Sequence, residues 1–264
     1  APYESYSVFN GNFKKEDGTE QNVEMMSGDE NRFIETDNAT GFVKPYKEGY
    51  SFVALLPNEG LGIDSYVADL TGESFVSAIK NAKNAINQAD YDAVVALDIG
   101  PTGKLLKPMG DLDFEDAVSL FAKTVKLGAK YGVDLIIIET MNDSYETKAA
   151  LLAAKENSRL PVIVSNAYGE DGKLMTGATP SAMVALLEGM GADALGANCS
   201  LGPKQLRNVA VELINNASVP VILKPNAGLP RIEDGKTVFD ITPDEFADEV
   251  CDLVKTGVRV IGGC

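Results

Sequence analysis

Two cysteines and one glutamate carry the side chains best suited to chemistry in this sequence, and each follows a short apolar run. Cys199 ends the run DALGANC, Cys264 ends VRVIGGC, and Glu139 ends DLIIIE. Thiolates are zinc ligands and nucleophiles. If each run is a parallel strand, the three side chains collect on one rim, where the loops that follow the strands meet.

These three residues also have simpler interpretations. Cys199 and Cys264 lie 65 positions apart (264 minus 199), which is no recognised zinc spacing, so both can be buried core thiols. Their common position at strand ends supports the alternative, a shared metal site. Glu139 can bind a substrate, cap the next helix or pair with a lysine. Cys251 lies in the middle of a predicted helix and is predicted to be a small buried residue.

Composition excludes several classes of function. The chain of 264 residues has no histidine, so histidine-based acid–base catalysis and any triad that contains histidine are excluded. Its net charge is −16 and its basic residues are scattered, which argues against a nucleic-acid partner. Its apolar runs are far shorter than the roughly 20 residues of a membrane span, and no signal sequence opens it. We therefore expect a cytoplasmic protein without nucleic-acid or membrane partners.

From about residue 91, short apolar strands alternate with longer amphipathic helices. This βα repeat predicts an α/β fold with a parallel sheet or barrel. A closed TIM-type barrel needs eight strands, and six are recognisable, so we predict an incomplete TIM-type (β/α) barrel preceded by an N-terminal β-rich segment. The predicted strands are Ala93–Ile99, Asp134–Glu139, Pro161–Ala167, Asp193–Cys199, Val219–Lys224 and Val258–Gly262.

The first 85 residues have a different texture. Alternating and apolar runs predict strands up to Leu56, and residues 63–89 have helical spacing. The stretches FKKEDGTEQNVEMM, GFVKPYKEGYSFVALLPNEG and YVADLTGESF resemble part of the serpin family. The serpin reactive loop has no counterpart in this sequence. We expect two domains, a serpin-like segment over residues 1–85 and a βα barrel portion over residues 86–264.

The second domain carries a more specific resemblance. The stretches ALDIGPTGKLLKPMGDLDFEDA, DLIIIETMND, ADALGANCSLGP, PVILKPNAGLP and VIGGC are similar to the homocysteine-binding, zinc-dependent S-methyltransferase domain of the cobalamin-dependent methionine synthases. The resemblance implies methyl transfer to a zinc-activated homocysteine thiol. Methylcobalamin, carried by a domain or protein outside this chain, is the implied methyl donor.

The resemblance also implies roles for single residues. Cys199 and Cys264 correspond to catalytic zinc thiolates, and Glu139 corresponds to the residue that holds the homocysteine amino group. The remaining residues would shape the floor and rim of the substrate pocket; they are Asn198, Gly100, Pro101, Thr102 and Asn226.

The sequence departs from that family in two ways. The loops of the first two barrel strands have no match, and the Gly-Gly-Cys-Cys ending is matched only as far as Cys264. We therefore expect zinc to need a further ligand and activity to be impaired. The alternatives are a serpin-like protease inhibitor and a non-catalytic chimeric interaction protein.

Overall fold

The computed structural model describes two compact units, divided between Val95 and Ala96. The described residues are 8–14, 20–26, 33–35, 39–45, 51–57, 72–87, 93–228, 230–233, 236–239 and 241–264.

The first unit contains antiparallel strands, as predicted for the N-terminal segment. Strands β1 (Val8–Lys14) and β2 (Glu20–Met26) pair antiparallel over seven residues. A second sheet has the order β3 (Phe33–Glu35), β4 (Ala39–Pro45), β5 (Ser51–Pro57). Helix α1 spans Gly72–Asn87. Residues 63–71 and 88–89 of the predicted helix lie outside the described residues.

The second unit is built on a six-stranded parallel sheet, and all six predicted strands are confirmed. In chain order the strands are β6 (Ala96–Ile99), β7 (Leu135–Met141), β8 (Val162–Asn166), β9 (Ala194–Asn198), β10 (Val221–Lys224) and β13 (Val260–Ile261). Sheet neighbours follow the chain, with β6 at one edge and β13 at the other. The fold is therefore the predicted α/β barrel arrangement left open.

A helix follows most of these strands and begins or ends at the residues that the sequence indicates. The helices are α2 (Phe114–Tyr131), α3 (Ser144–Asn157), α4 (Pro180–Gly189), α5 (Pro203–Asn216) and α6 (Pro243–Thr256). Gly132 ends α2 in the left-handed conformation, and Thr242 with Glu245 forms a capping box at the start of α6. Prolines open α4, α5 and α6, where the missing N–H costs nothing.

The core of this unit lies between the sheet and the helices. Ile136 and Ile138 of β7 are fully buried, as are Leu195 of β9 and Leu223 of β10. Asp98 on β6 and Glu139 on β7 alternate along their strands with buried apolar residues, so they lie on the opposite face of the sheet. Polar side chains on that face are the pattern of a sheet that lines a polar site.

The region between β10 and α6, and α6 itself, each show one further feature. A short antiparallel pair, β11 (Pro230–Glu233) and β12 (Lys236–Phe239), lies between β10 and α6. Cys251 of α6 is exposed, so the prediction that it is a buried core residue is wrong. It lies on the outer side of an amphipathic helix that buries Val250 and Leu253 instead. Among the described residues, no helix combines the length and the apolar composition needed to cross a bilayer.

Candidate functional site

The two cysteines singled out from the sequence lie close to each other in the folded chain, because their N–H groups donate at 3.0 Å to the carbonyls of consecutive residues, Cys199 to Lys224 and Cys264 to Pro225. Cys199 follows β9 and Cys264 follows β13, and β10 separates these strands in the sheet. Burial raises the pKa of the Cys264 thiol, and the hydrogen bond and negative charge of Cys199 raise it further, while Asn198 and Lys224 lower it. The residue Cys264 is exposed overall, yet its thiol is partly enclosed by these neighbours. The sheet therefore delivers two distant thiols to one place.

The backbone around the site holds an unusual conformation. Cys199 and Ser200 have φ values of 60° and 56°, and Thr140 has a φ of 60°. Left-handed backbone is uncommon outside glycine and is a clear outlier for a β-branched residue such as threonine. Such residues persist only where surrounding contacts hold them, and they concentrate at functional sites.

Asn198 provides the contacts that hold Thr140 in this conformation. It is fully buried at the end of β9. Its Oδ1 accepts from the Thr140 N–H at 2.9 Å and from Ser165 Oγ at 2.6 Å, and its Nδ2 donates to Thr140 Oγ1 at 2.8 Å. The same Nδ2 lies 4.0 Å from the sulfur of Cys264. Asn198 thus links β7, β8 and β9 beneath the two thiols.

Glu139 lies at an irregularity of β7. Ile138 pairs with Val164 of β8 and Met141 pairs with Asn166, so β7 uses three steps where β8 uses two. The extra residue of β7 produces a bulge at Glu139 and Thr140. Bulges commonly redirect side chains next to active sites. The bulge turns Glu139 toward Lys224, whose Nζ donates to its Oε2.

The contact between Glu139 and Lys224 shows that the sheet curls. Lys224 ends β10, and two strands separate β10 from β7. In a flat sheet these strands would be about 14 Å apart, at roughly 4.8 Å per neighbour. A direct ion pair between their side chains, each 20% exposed, requires a concave face. The open sheet is therefore concave on the face that carries Glu139 and Lys224.

Lys224 connects the acidic side chains with the thiols. Burial lowers its pKa, and the charges of Asp98 and Cys264 raise it in part. Asp98 of β6 has more than a third of its surface exposed, yet the packing around its carboxyl raises its pKa against the attraction of Lys224. Asp98, Glu139, Lys224 and Cys264 are thus electrostatic neighbours on one face of the sheet.

The other predicted substrate residues lie in the loops that follow β6 and β10. Gly100 and Pro101 are exposed, and Thr102 donates to the buried Glu146 of α3 from both its N–H (2.7 Å) and its Oγ1 (2.5 Å). Asn226 donates its backbone N–H to the carbonyl of Leu201 at 3.0 Å. This ties the loop after β10 to the loop that carries Cys199.

The residue that caps helix α3 decides between two of the roles considered for Glu139. Asp143 caps α3 by accepting from the N–H groups of Tyr145 and Glu146. Glu139 is therefore not the cap, and its partner in this structure is a lysine.

Within the part of the chain that the structure describes, no group of three or more Cys, Asp or Glu side chains is arranged to hold a metal. Two neighbouring thiols fit zinc as two of its ligands, whereas a catalytic zinc takes three protein ligands. The described residues therefore provide part of a zinc site and not a complete one.

Several residues of the site were not recognised from the sequence. Lys224 and Asp98 are charged residues at the ends of apolar strands, and that position is a signal that could have identified them. Thr140, Ser165 and Glu146 gave no such signal, because their partners are distant in sequence.

Known proteins resemble this chain in sequence. It is 26% identical over 204 residues to the methionine synthase of Mycobacterium leprae, covering 75% of this chain and 17% of that protein. It is 25% identical over 191 residues to the methionine synthase of Mycobacterium tuberculosis, covering 70% of this chain and 16% of that protein. The chain thus spans about a sixth of the length of these relatives.

Solved structures resemble it in fold. The homocysteine methyltransferase MmuM from Escherichia coli superposes with a TM-score of 0.57 in its apo form, at 22% identity, covering 74% of this chain and 70% of that chain. Its metallated form gives a TM-score of 0.58 at 21% identity, covering 75% of this chain and 69% of that chain. The family model described as homocysteine S-methyltransferase matches residues 55–264, about four fifths of the sequence. This chain therefore belongs to the homocysteine S-methyltransferase family.

Proposed function

We propose that this chain binds homocysteine and presents its thiol for methylation. The observation that carries the proposal is the convergence of Cys199, Cys264, Asn198 and Glu139 on one face of the curled sheet. An acidic side chain beside a lysine suits the charged head of an amino acid, and the thiol pair suits a sulfur-directed metal. Homocysteine carries both features that such a site would recognise.

Each residue then has a defined task. Glu139 accepts the substrate ammonium, and Asn198 keeps the bulge of β7 in the conformation that aims Glu139 into the site. Gly100, Pro101 and Thr102 line the rim after β6, and Asn226 lines the rim after β10. Ordering the substrate in this way lowers the entropic part of the barrier.

We also propose that zinc takes part and that Cys199 and Cys264 supply two of its ligands. A coordinated thiol is deprotonated, which is the chemistry that zinc would contribute. A third protein ligand does not come from the described residues, so no step is assigned to the metal.

The transfer exchanges the S–H bond of homocysteine for an S–C bond. The thiol proton passes to water, a sulfur lone pair bonds to the methyl carbon, and the electron pair of the bond between that carbon and the donor stays with the donor. We propose methylcobalamin as the donor, bound by a domain or protein outside this chain, because the relatives are methionine synthases of which the matched region is only about a sixth. Location in the cytoplasm is part of the same proposal.

Metal analysis and methyl-transfer assays test the proposal. We expect protein purified without chelator to contain zinc, and we expect Cys199→Ser and Cys264→Ser to lose both zinc and methylation of homocysteine by methylcobalamin. Cys251→Ser is the matched control, since Cys251 is exposed on α6, and it should keep both. A zinc content that is unchanged in Cys199→Ser would contradict the role of the thiol pair.

A serpin-like inhibitory role of residues 1–85 stays a prediction, as does a non-catalytic chimera. Incubation with serine proteases tests the first, and we expect no covalent complex because the sequence has no counterpart of the reactive loop. Homocysteine binding by the full chain would contradict the second.

A further inference from the structure

The ion pair between Lys224 and Glu139 occupies the position where the proposed substrate would place its amino-acid head. Both side chains are only 20% exposed, and they come from strands that are not neighbours in the sheet. An ion pair that spans a concave face closes that face until something separates the two charges.

A ligand ammonium that reaches Glu139 meets the ammonium of Lys224. Two like charges in a half-buried site repel each other strongly unless an anion joins them. An α-amino acid brings that anion on the same carbon as its ammonium. Its carboxylate can therefore neutralise Lys224 at the moment when its ammonium displaces Lys224 from Glu139.

The position of Lys224 also fits the rest of the site. It pairs in register with Asn198, and its carbonyl accepts the N–H of Cys199 at 3.0 Å. Its charge acts on both Asp98 and Cys264. A ligand head held at Lys224 would thus extend its thiol toward the cysteine pair.

Gly262 of the segment after β13 leaves room for this side chain. A Cβ added at Gly262 would lie 3.0 Å from Lys224 Cγ and 3.1 Å from its Cδ. The glycine therefore leaves space beside the last strand for the aliphatic part of Lys224.

We propose that Lys224 is a specificity residue that binds the carboxylate of the amino-acid substrate, and that in the free protein its ammonium occupies the place on Glu139 that the substrate ammonium takes. This inference rests on the proposed function. It makes the site selective for a zwitterion, because a ligand with only one of the two charges leaves Lys224 or Glu139 without a partner.

Calorimetric titration of the full chain with three thiols tests this. The ligands are homocysteine, 3-aminopropane-1-thiol, which lacks the carboxylate, and 4-sulfanylbutanoate, which lacks the ammonium. We expect the wild type to bind homocysteine at least tenfold more tightly than either analogue. Lys224→Met should weaken homocysteine at least tenfold and should leave 3-aminopropane-1-thiol unchanged or tighter, since Glu139 is then free.

Two variants control for structure. Lys224→Arg keeps the charge and should restore most of the homocysteine affinity. Lys255→Met removes an exposed lysine that pairs with Asp252 on α6 and should change none of the three affinities. If Lys224→Met does not fold, the preference of the wild type among the three thiols still decides the question.

The outcomes separate the inference from the function beneath it. If the wild type binds none of the three thiols, both the proposed function and the inference are overturned. If the wild type binds homocysteine and 3-aminopropane-1-thiol equally, or if Lys224→Met weakens all three ligands alike, only the inference is overturned. In that case the presence of a lysine at position 224 is explained by its interaction with Asp98 or by a purely structural role.

Discussion

Asn198 is the residue on which the geometry of the site depends most directly. Two of its hydrogen bonds hold Thr140 at a φ of 60°, a conformation that threonine adopts at a cost. The strained residue lies next to Glu139 in the bulge of β7. The position of the proposed ammonium acceptor is therefore determined by an amide on another strand.

Replacing Asn198 with alanine should release this arrangement. We expect Asn198→Ala to lower the free energy of unfolding by about 2–4 kcal/mol, because it removes three hydrogen bonds and leaves the partly buried N–H of Thr140 without its acceptor. It should also weaken homocysteine binding. Urea denaturation and calorimetry measure the two effects. Ser165→Ala removes only one of these bonds and should cost about 1 kcal/mol with binding retained; equal effects of the two variants would contradict the role of Asn198.

Glu188 gives a prediction about pH. Its carboxylate accepts from the Oγ of Ser218 at 2.8 Å and from the N–H groups of Ser218 and Val219, and these bonds lower its pKa below the ordinary 4.5. A carboxyl whose pKa is lower in the folded chain adds stability above its unfolded pKa, and this stability is lost as the pH falls through its folded pKa.

We therefore expect Glu188→Gln to be less stable than the wild type at pH 7 and equally stable once the pH is below the folded pKa. Because this carboxylate is largely open to solvent, the difference should not exceed about 1 kcal/mol. Urea titrations from pH 7 down to about pH 3 measure it. A difference that stays constant over this range would show that the charge of Glu188 has no part in it.

At the scale of elements, β9 and β10 approach each other closely in the sheet that carries the site. An added Cβ at Gly196 of β9 would lie 1.7 Å from the carbonyl oxygen of Ile222 of β10. Any larger residue would force apart the two strands that position Cys199 and Lys224. Glycine weakens the interior of a strand, and it is often found there where another backbone approaches closely.

Gly196→Ala should therefore destabilise the barrel portion by about 3 kcal/mol or more, in the upper range for overpacking. It should also reduce homocysteine binding, because the ends of β9 and β10 shift together. Gly189→Ala is the matched control, since nothing lies within 4 Å of an added Cβ there. Thermal melts of both variants decide: a Gly196→Ala protein as stable as the control would contradict the close packing.

At the scale of the whole molecule, the extent of the barrel portion is the open question. The sequence predicts a boundary at residue 86, the compact units divide at Val95 and Ala96, and the family match begins at residue 55. The three boundaries differ over residues 55–95, which include the whole of α1.

We propose that residues 86–264 fold without the preceding segment. A truncated chain of residues 86–264 should unfold cooperatively with helical circular dichroism, because the buried core of the second unit lies within residues 96–264. A second truncated chain of residues 55–264 is the comparison. If only the longer chain unfolds cooperatively, the boundary at residue 86 is wrong and the segment from residue 55 is part of the barrel portion.

Local patterns in the sequence were sufficient to predict the helices and strands of the barrel portion. Apolar runs that alternate with amphipathic helices predicted all six parallel strands, and the helix ends coincide with local signals, namely prolines, Gly132 and the Thr242 capping box. These signals are local, because hydrophobic periodicity and capping involve residues within a few positions of each other. Cys251 was misjudged because a helix position alone does not say which face meets the core.

The sequence by itself determined the βα order, the strand ends and therefore which residues could share a rim. Only the tertiary structure decided which of them meet: Glu139 with Lys224 across 85 positions (224 minus 139), Asn198 with Thr140, and Cys199 with Cys264. The reason is that these contacts depend on how strongly the sheet curls and on one bulge in β7, and both arise from packing between elements rather than from any local pattern.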